Sequence, residues 1–214
     1  LTLFGRNLAL MLIIAGGLHL YLYTFHKQGK KRKFDEREMV CNSSLFKFGN
    51  QVLDNAYYSL VYGVTFWTVF ESLFLWLYAN GYLAVLSWDK HPVLFVAVIF
   101  LIPIWHSFHF YWLHRFLHWK PMYEAEHALH HRNINIGPWS GISMHPVESF
   151  GYLSSVLIHL IVPSGPIHIV YHMQFLIFNA VIAHSGYESL LMNEVSVIKI
   201  GRFHHQLHHR YFEC

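Results

Sequence analysis

Residues 92–118 read PVLFVAVIFLIPIWHSFHFYWLHRFLH, an apolar run from Pro92 to Leu113 that ends directly in the pair His114 and His118. A membrane-crossing helix needs about 20 mostly apolar residues, and this run is long enough. Two comparable runs precede it, Leu8 to Phe25 and Ala56 to Ala79, the second interrupted only by Glu71. Composition agrees, because 54% of the 214 residues are hydrophobic and only 13% are charged. A soluble domain carries roughly 25% charged residues, so this chain has too little polar surface to cover itself in water. An all-α integral membrane protein is expected, a multi-span helical bundle.

Two shorter apolar pieces, Phe150 to Val162 and Ile167 to Ala183, flank the turn Pro163-Ser164-Gly165-Pro166. They predict a hairpin that dips into the membrane or spans it imperfectly. No period-two strand pattern and no internal repeat stand out. The stretch from His26 to Asn55 holds Lys27, Lys30, Lys31, Arg32, Lys33, Arg37 and Lys47, whereas Lys90 is the one basic residue from Asn80 to His91 apart from histidine. Cytoplasmic loops collect Lys and Arg, which places the first stretch in the cytoplasm and the second on the far side. Three long spanning helices and a shorter hairpin then bring His114 and His184 out on the cytoplasmic side, under a helical cap. The endoplasmic reticulum and a bacterial inner membrane fit equally.

A net charge of +3 is too small to indicate nucleic acid as a partner. Two cysteines, Cys41 and Cys214, are too few for a disulfide framework or a cysteine-based metal site. The chain opens at Leu1 and closes at Cys214 just after a dense histidine run, so it reads as a fragment.

Histidine is the anomaly, with 16 of the 19 falling between His106 and His209. Four pieces carry the signal: His114 and His118 as H-x3-H, His127, His130 and His131 as H-x2-H-H, a lone His184 before Ser-Gly-Tyr-Glu, and His205, His208 and His209 as a second H-x2-H-H. At the chain's histidine frequency about 0.15 such triplets are expected by chance, and two occur. Residues three and four apart share a helix face, so each piece is expected to project its imidazoles in one direction. These nine histidines exceed what one ion accepts, and two first-row ions with four or five ligands each suit the count. Magnesium or calcium is disfavoured by the scarcity of carboxylates.

Other metal and catalytic classes are absent from the sequence. There is no H-E-x-x-H, no G-x-S-x-G, no G-x-G-x-x-G and no P-loop. A ferritin-like carboxylate site needs two Glu-x-x-His pairs, and only Glu124-Ala-Glu-His127 occurs. A b-type cytochrome would use isolated histidines facing one another across two spans, not clustered triplets. A transporter binds near the bilayer midplane, whereas these triplets lie outside the apolar runs.

The order H-x3-H, H-x2-H-H, His-Ser-Gly-Tyr and H-H-x-x-H-H resembles the fatty acid hydroxylase/sterol desaturase superfamily of histidine-box membrane oxygenases. The segments Tyr111 to His118, Ser143-Met-His145-Pro146 and Phe203 to Phe212 resemble its sterol-modifying branch in particular. The resemblance covers about residues 105 to 214 and implies a catalytic unit over 105–214, truncated at its C-terminus. Membrane helices and the basic loop then occupy residues 1–104. It further implies two iron ions held by His114, His118, His127, His130, His131, His184, His205, His208 and His209, with zinc able to replace iron in recombinant material. Dioxygen, a sterol or fatty-acyl substrate and an external electron donor such as a b-type cytochrome or ferredoxin complete the implied reaction, a hydroxylation or desaturation. A zinc-dependent membrane hydrolase using the same histidines is the alternative.

His145, His204, Glu188 and Asn179 are candidates to hold the liganding imidazoles from behind. For His145 the competing role is starting a helix before Pro146. His204 points about 100° off the face of the last triplet. Within the apolar runs, His19, Glu71, His106 and His109 read as hydrogen-bonded core residues, and His168 and His172 as an i, i+4 pair without box spacing.

Overall fold

The computed structural model describes residues 1–212, so Cys214 lies outside the described residues. Four helices are long and apolar enough to cross a membrane: α1 (Thr2–Thr24), α2 (Gln51–Ala79), α3 (Pro92–Leu117) and, after the shorter elements described below, α6 (Pro166–Ala183). Between α3 and α6 stand α4 (residues 120–131) and α5 (Pro146–Leu153), the latter continued by a 3-10 turn over Ser154–Leu160. A two-stranded hairpin, β1 (Ser189–Met192) and β2 (Val195–Lys199), and the helix α7 (Phe203–Tyr211) complete the order. Three of these helices begin with proline, at Pro92, Pro146 and Pro166. Proline's fixed φ suits the first helical position, where no N–H partner is needed.

The hairpin corrects one expectation from the sequence. Its second limb, α6, has spanning length, and its first limb also traverses the bundle rather than dipping into it. The turn at Ser164 meets the linker beyond α2, where Leu86 donates its N–H to the Ser164 carbonyl at 2.9 Å and Tyr78 and Ser164 share a 2.6 Å hydroxyl contact. A 3-10 turn rises about 2 Å per residue against 1.5 Å in an α-helix, which stretches a short limb across the distance. The strand pair was not foreseen either. Asn193 and Glu194 both adopt positive φ between β1 and β2, the signature of a tight hairpin turn, but strands of four and five residues are too short to show alternation.

Half of the apolar window of α6 is buried against 17% for α3, so α6 is the central helix and α3 faces outward. Met11, Trp67, Phe74, Ile169, Met173 and Leu176 form the middle of the core where α1, α2 and α6 meet. Glu71, fully buried in α2, accepts an N–H of Asn7 at 3.1 Å and pairs with Arg6, which ties α1 to α2. Intramembrane charges persist when paired in this way.

The basic loop lies at the same end of the bundle as the histidine pieces. Phe34 donates its N–H to the Gly186 carbonyl at 3.0 Å, Glu188 to Arg32 at 2.8 Å, and the Asn135 side chain to the Arg37 carbonyl at 2.8 Å. Gly186 is required here: its φ is +76°, and a Cβ would sit 2.0 Å from the Tyr23 hydroxyl.

Candidate metal centre

The last turn of α3 carries His114 and His118. Trp119-Lys120-Pro121 then breaks the helix and starts α4, whose π-turn over Tyr123–His127 leads into His130 and His131. His184 closes the C-terminus of α6, and α7 brings His205, His208 and His209. All nine imidazoles converge. His114, His118, His127 and His131 can place one nitrogen each within 4.8 Å of one another, and so can His130, His184, His205 and His209. His208 joins the first set, its Nε2 lying 3.0 Å from His118 and 3.1 Å from His114.

The triplets do not point one way, as their spacing had suggested. Each divides between the two sets: His127 and His131 go to one and His130 to the other, while His205 and His209 go to one and His208 to the other. The i, i+4 pair stays together because it is about 40° apart, whereas adjacent residues differ by about 100° around the helix. Each triplet therefore links two neighbouring sets.

The contacts inside each set are of an unusual kind. Nε2 meets Nε2 at 3.0 Å for His114 and His118, 3.0 Å for His184 and His205, 3.2 Å for His184 and His209, and 3.3 Å for His130 and His184. Three rings whose Nε2 atoms aim at one point cannot all hydrogen-bond one another, since each N–H lies along its own ring axis. Around a cation, nitrogen arms of about 2.1 Å place ligands about 3.0 Å apart at right angles and about 3.4 Å apart at tetrahedral angles. The observed spacings fall in that interval. Nε2 of His127 and both ring nitrogens of His131 are buried with no hydrogen-bond partner among the described residues. The residues present fit a pair of imidazole-bound metal ions.

Contacts behind the rings favour the same tautomer. Nδ1 of His184 meets the Ala180 carbonyl at 2.8 Å and Nδ1 of His130 the Ser143 carbonyl at 3.2 Å, so these N–H groups donate outward and leave Nε2 as an inward lone pair. His127 places Nδ1 2.7 Å from the Glu148 carboxyl, both groups being buried. Burial, reinforced by neighbouring imidazoles, pushes His118 down to about 4 and His127 to about 3, and His131, His184, His205 and His209 are also lowered. His130 is lowered to about 4, again chiefly by burial. These rings are neutral at pH 7, as a metal requires. Burial raises Glu148 to about 8.

The four residues expected to stand behind the rings make other contacts. His145 is the N-cap of α5, accepting the Val147 N–H at 3.4 Å and pairing with Glu126, because its extended backbone before Pro146 sets it at a helix start. His204 is exposed on α7, off the face of its triplet. Glu188 pairs with Arg32 at 3.0 Å, since its backbone is bonded to the basic loop. Asn179 accepts from Arg202 at 2.9 Å. The supporting carboxylate is instead Glu148, three residues after His145 and on a helix too short to display a periodic signal. Gln206, inside the last box, donates to the Ile134 carbonyl at 2.7 Å and so docks α7 onto the loop after α4.

A cavity of about 230 Å³ reaches the histidines from inside the bundle. Its wall includes His114, His127, His130, His184 and His205 together with His106, Phe110, Leu113, Met144 and Tyr152. Gly141 forms part of this wall, and a Cβ there would approach the Ala180 carbonyl to 2.6 Å.

Comparison with known proteins adds a second, independent line. A Delta(7)-sterol 5(6)-desaturase of Gibberella zeae is 34% identical over 112 residues, 49% of this chain and 32% of that protein. The Delta(7)-sterol 5(6)-desaturase of Saccharomyces cerevisiae is 35% identical over 105 residues, 48% of this chain and 27% of its own. A methylsterol monooxygenase of Aspergillus fumigatus is 30% identical over 126 residues, 55% of this chain and 41% of its own. The matched segments thus cover between about a quarter and two-fifths of these relatives. No solved structure matches. The family model for fatty acid hydroxylase matches residues 98–214, the part that holds all nine converging histidines. The chain belongs to the fatty acid hydroxylase family.

Proposed function

We propose that this chain carries the metal centre of a membrane lipid oxygenase that hydroxylates or desaturates a sterol or fatty-acyl carbon. The observation that carries this reading is the convergence of nine imidazoles, their ring nitrogens gathered into two sets, at the end of a cavity embedded among apolar helices. His114, His118, His127, His131 and His208 would hold one iron ion, and His130, His184, His205 and His209 the other. When bound, the pair would supply activation of dioxygen and removal of hydrogen from an unactivated carbon. Residues 105–214 act as the catalytic unit, resting on the helices and basic loop of residues 1–104.

The chain's own part is to hold and to shield. Carbonyls of Ala180 and Ser143 and the Glu148 carboxyl orient the rings, and all-imidazole ligation leaves the ions' positive charge largely uncancelled. The apolar wall of Phe110, Leu113, Leu117 and Met144 admits a lipid and limits water. The half-buried outer rings of His118 and His208 face an open groove, where an external donor such as a b-type cytochrome or ferredoxin can deliver electrons. The Lys-rich loop beside the centre supports a cytoplasmic position for this end. A zinc hydrolase finds no support in the relatives named above, which are desaturases and a monooxygenase.

The test uses the purified full chain in lipid nanodiscs, loaded with ferrous iron and given dioxygen, a reduced ferredoxin and sterols. Mass spectrometry should find a product with one oxygen added or two hydrogens lost, and none under argon. Product formation that persists without dioxygen rejects the proposal.

A further inference from the structure

Arg202 and Asn179 are polar groups in the cavity wall that hold none of the nine rings. Arg202 is the N-cap of α7, and its Nη2 donates to the Asn179 side-chain oxygen at 2.9 Å. Among the described residues no carboxylate lies within ion-pair distance of its guanidinium. A guanidinium has five N–H donors in a fixed fork, and the Asn179 contact uses one. Its location is specific: Arg202, Phe110, His114 and His205 line both the inner cavity and the open outer groove, so the fork stands where the two join. Of the other polar groups in this lining, Tyr152 donates to the Leu176 carbonyl at 2.8 Å and Glu148 meets His127 through one oxygen, while Nδ1 of His106 is buried deeper in the bundle without a partner among the described residues.

We infer that Arg202 and Asn179 form an anchoring pair for the polar oxygen of the lipid substrate, and that this oxygen is the hydroxyl of a sterol. The inference rests on the lipid-oxygenase reading and adds to it the residues that select the substrate's polar end. The free N–H groups of Arg202 and the amide of Asn179 donate to the hydroxyl oxygen, while the apolar wall receives the hydrocarbon. Arg202 precedes His205 by three residues, a backbone rise of about 4.5 Å, and both side chains line the inner cavity.

The experiment measures equilibrium binding of a 3-hydroxy-Δ7-sterol and its 3-deoxy counterpart to the iron-loaded full chain in nanodiscs, with turnover followed in parallel. The unaltered chain should prefer the hydroxylated sterol by about tenfold, the size of one hydrogen bond to a charged group. Arg202→Met should bring that ratio near one, Asn179→Leu should lower it partly, and Arg202→Lys should keep part of it, all with unchanged iron content. An unaltered ratio in Arg202→Met, or no preference in the parent chain, overturns the anchor. Turnover together with an unaltered ratio leaves the oxygenase reading standing alone. A preference lost in Arg202→Met but accompanied by no product leaves the anchor standing without the oxygenase.

Discussion

Two histidine-rich regions sit in this molecule, and their wiring differs. In the buried group below the cap, His159 and His172 meet Nε2 to Nδ1 at 2.9 Å, a complementary donor and acceptor. The outer nitrogens of that pair reach Ser164 at 2.9 Å and Ser155 at 3.1 Å, and Ser164 continues to Tyr78. His168 accepts the Gly165 N–H at 3.1 Å and meets the Phe95 carbonyl at 2.9 Å. Every nitrogen of these three rings has a partner that completes a hydrogen bond. In the cap, by contrast, Nε2 faces Nε2 and the outward Nδ1 atoms of His127, His130 and His184 are the ones with partners. Histidine density is the same kind of signal in both regions; only the cap leaves lone pairs converging on a point.

The largest effect that tests this contrast is removal of one cap ring. His130→Ala should abolish loading of its ion and reduce turnover below detection, measured by elemental analysis and product formation. His172→Ala should keep full metal content. Should His172→Ala lose metal while His130→Ala retains both ions, the division between the two regions fails.

Much of the cap was readable from spacing. The boxes stand at helix ends, and the two-limbed apolar hairpin between His131 and His184 returns the chain to the side it left, so the nine rings are expected at one end of the bundle. The division of each triplet between two sets was not readable, because 100° between His130 and His131 matters only when two metal positions lie on either side. Glu148 was hidden for another reason: nothing local distinguishes a buried carboxylate on an eight-residue helix from a solvated one, and its partner His127 is 21 residues away. The β-hairpin was missed because Asn193-Glu194 lacks the glycine that usually announces such a turn.

A smaller effect comes from the group behind His127. Glu148→Gln preserves shape but replaces the titratable carboxyl behind His127 with an amide, and such outer partners affect metal affinity by about 10 to 100-fold. A chelator competition should show a loss in that range, with the same substitution leaving the His159–His172 pair and the helical content unchanged. An affinity equal to the parent would mean that Glu148 only fills space.

Next in size is the stability of the pair in the bundle. His172→Ala strands His159 and Ser155 without their partner, and a buried unsatisfied group costs about 1 to 3 kcal/mol. Denaturant midpoints of the metal-free chain should fall accordingly, whereas His208→Ala, at a half-buried ring, should cost less.

The smallest effect is the pH response of the metal-free chain, and it again separates the regions by what faces the rings. His118, His127 and His130 titrate at about 4, 3 and 4 when folded, because burial disfavours their charge, and near 6.5 when unfolded. Between those values the unfolded chain binds more protons, so stability must drop as pH falls through about 6.5 toward 4. Glu148 acts in the opposite sense. Its carboxyl, raised to about 8 when folded against 4.5 unfolded, holds a proton that the unfolded chain releases, which adds stability as pH falls from about 8. One carboxyl is opposed by several imidazoles, so the expected profile rises slightly from pH 8, peaks near neutrality and declines below about 6.5. Glu148→Gln should remove the rise and leave the acid decline, read by thermal unfolding in detergent. A profile flat from pH 8 to 5 would show that the cap rings titrate in the folded chain as they do in the unfolded one, so that burial would not be what holds their inward nitrogens free of protons.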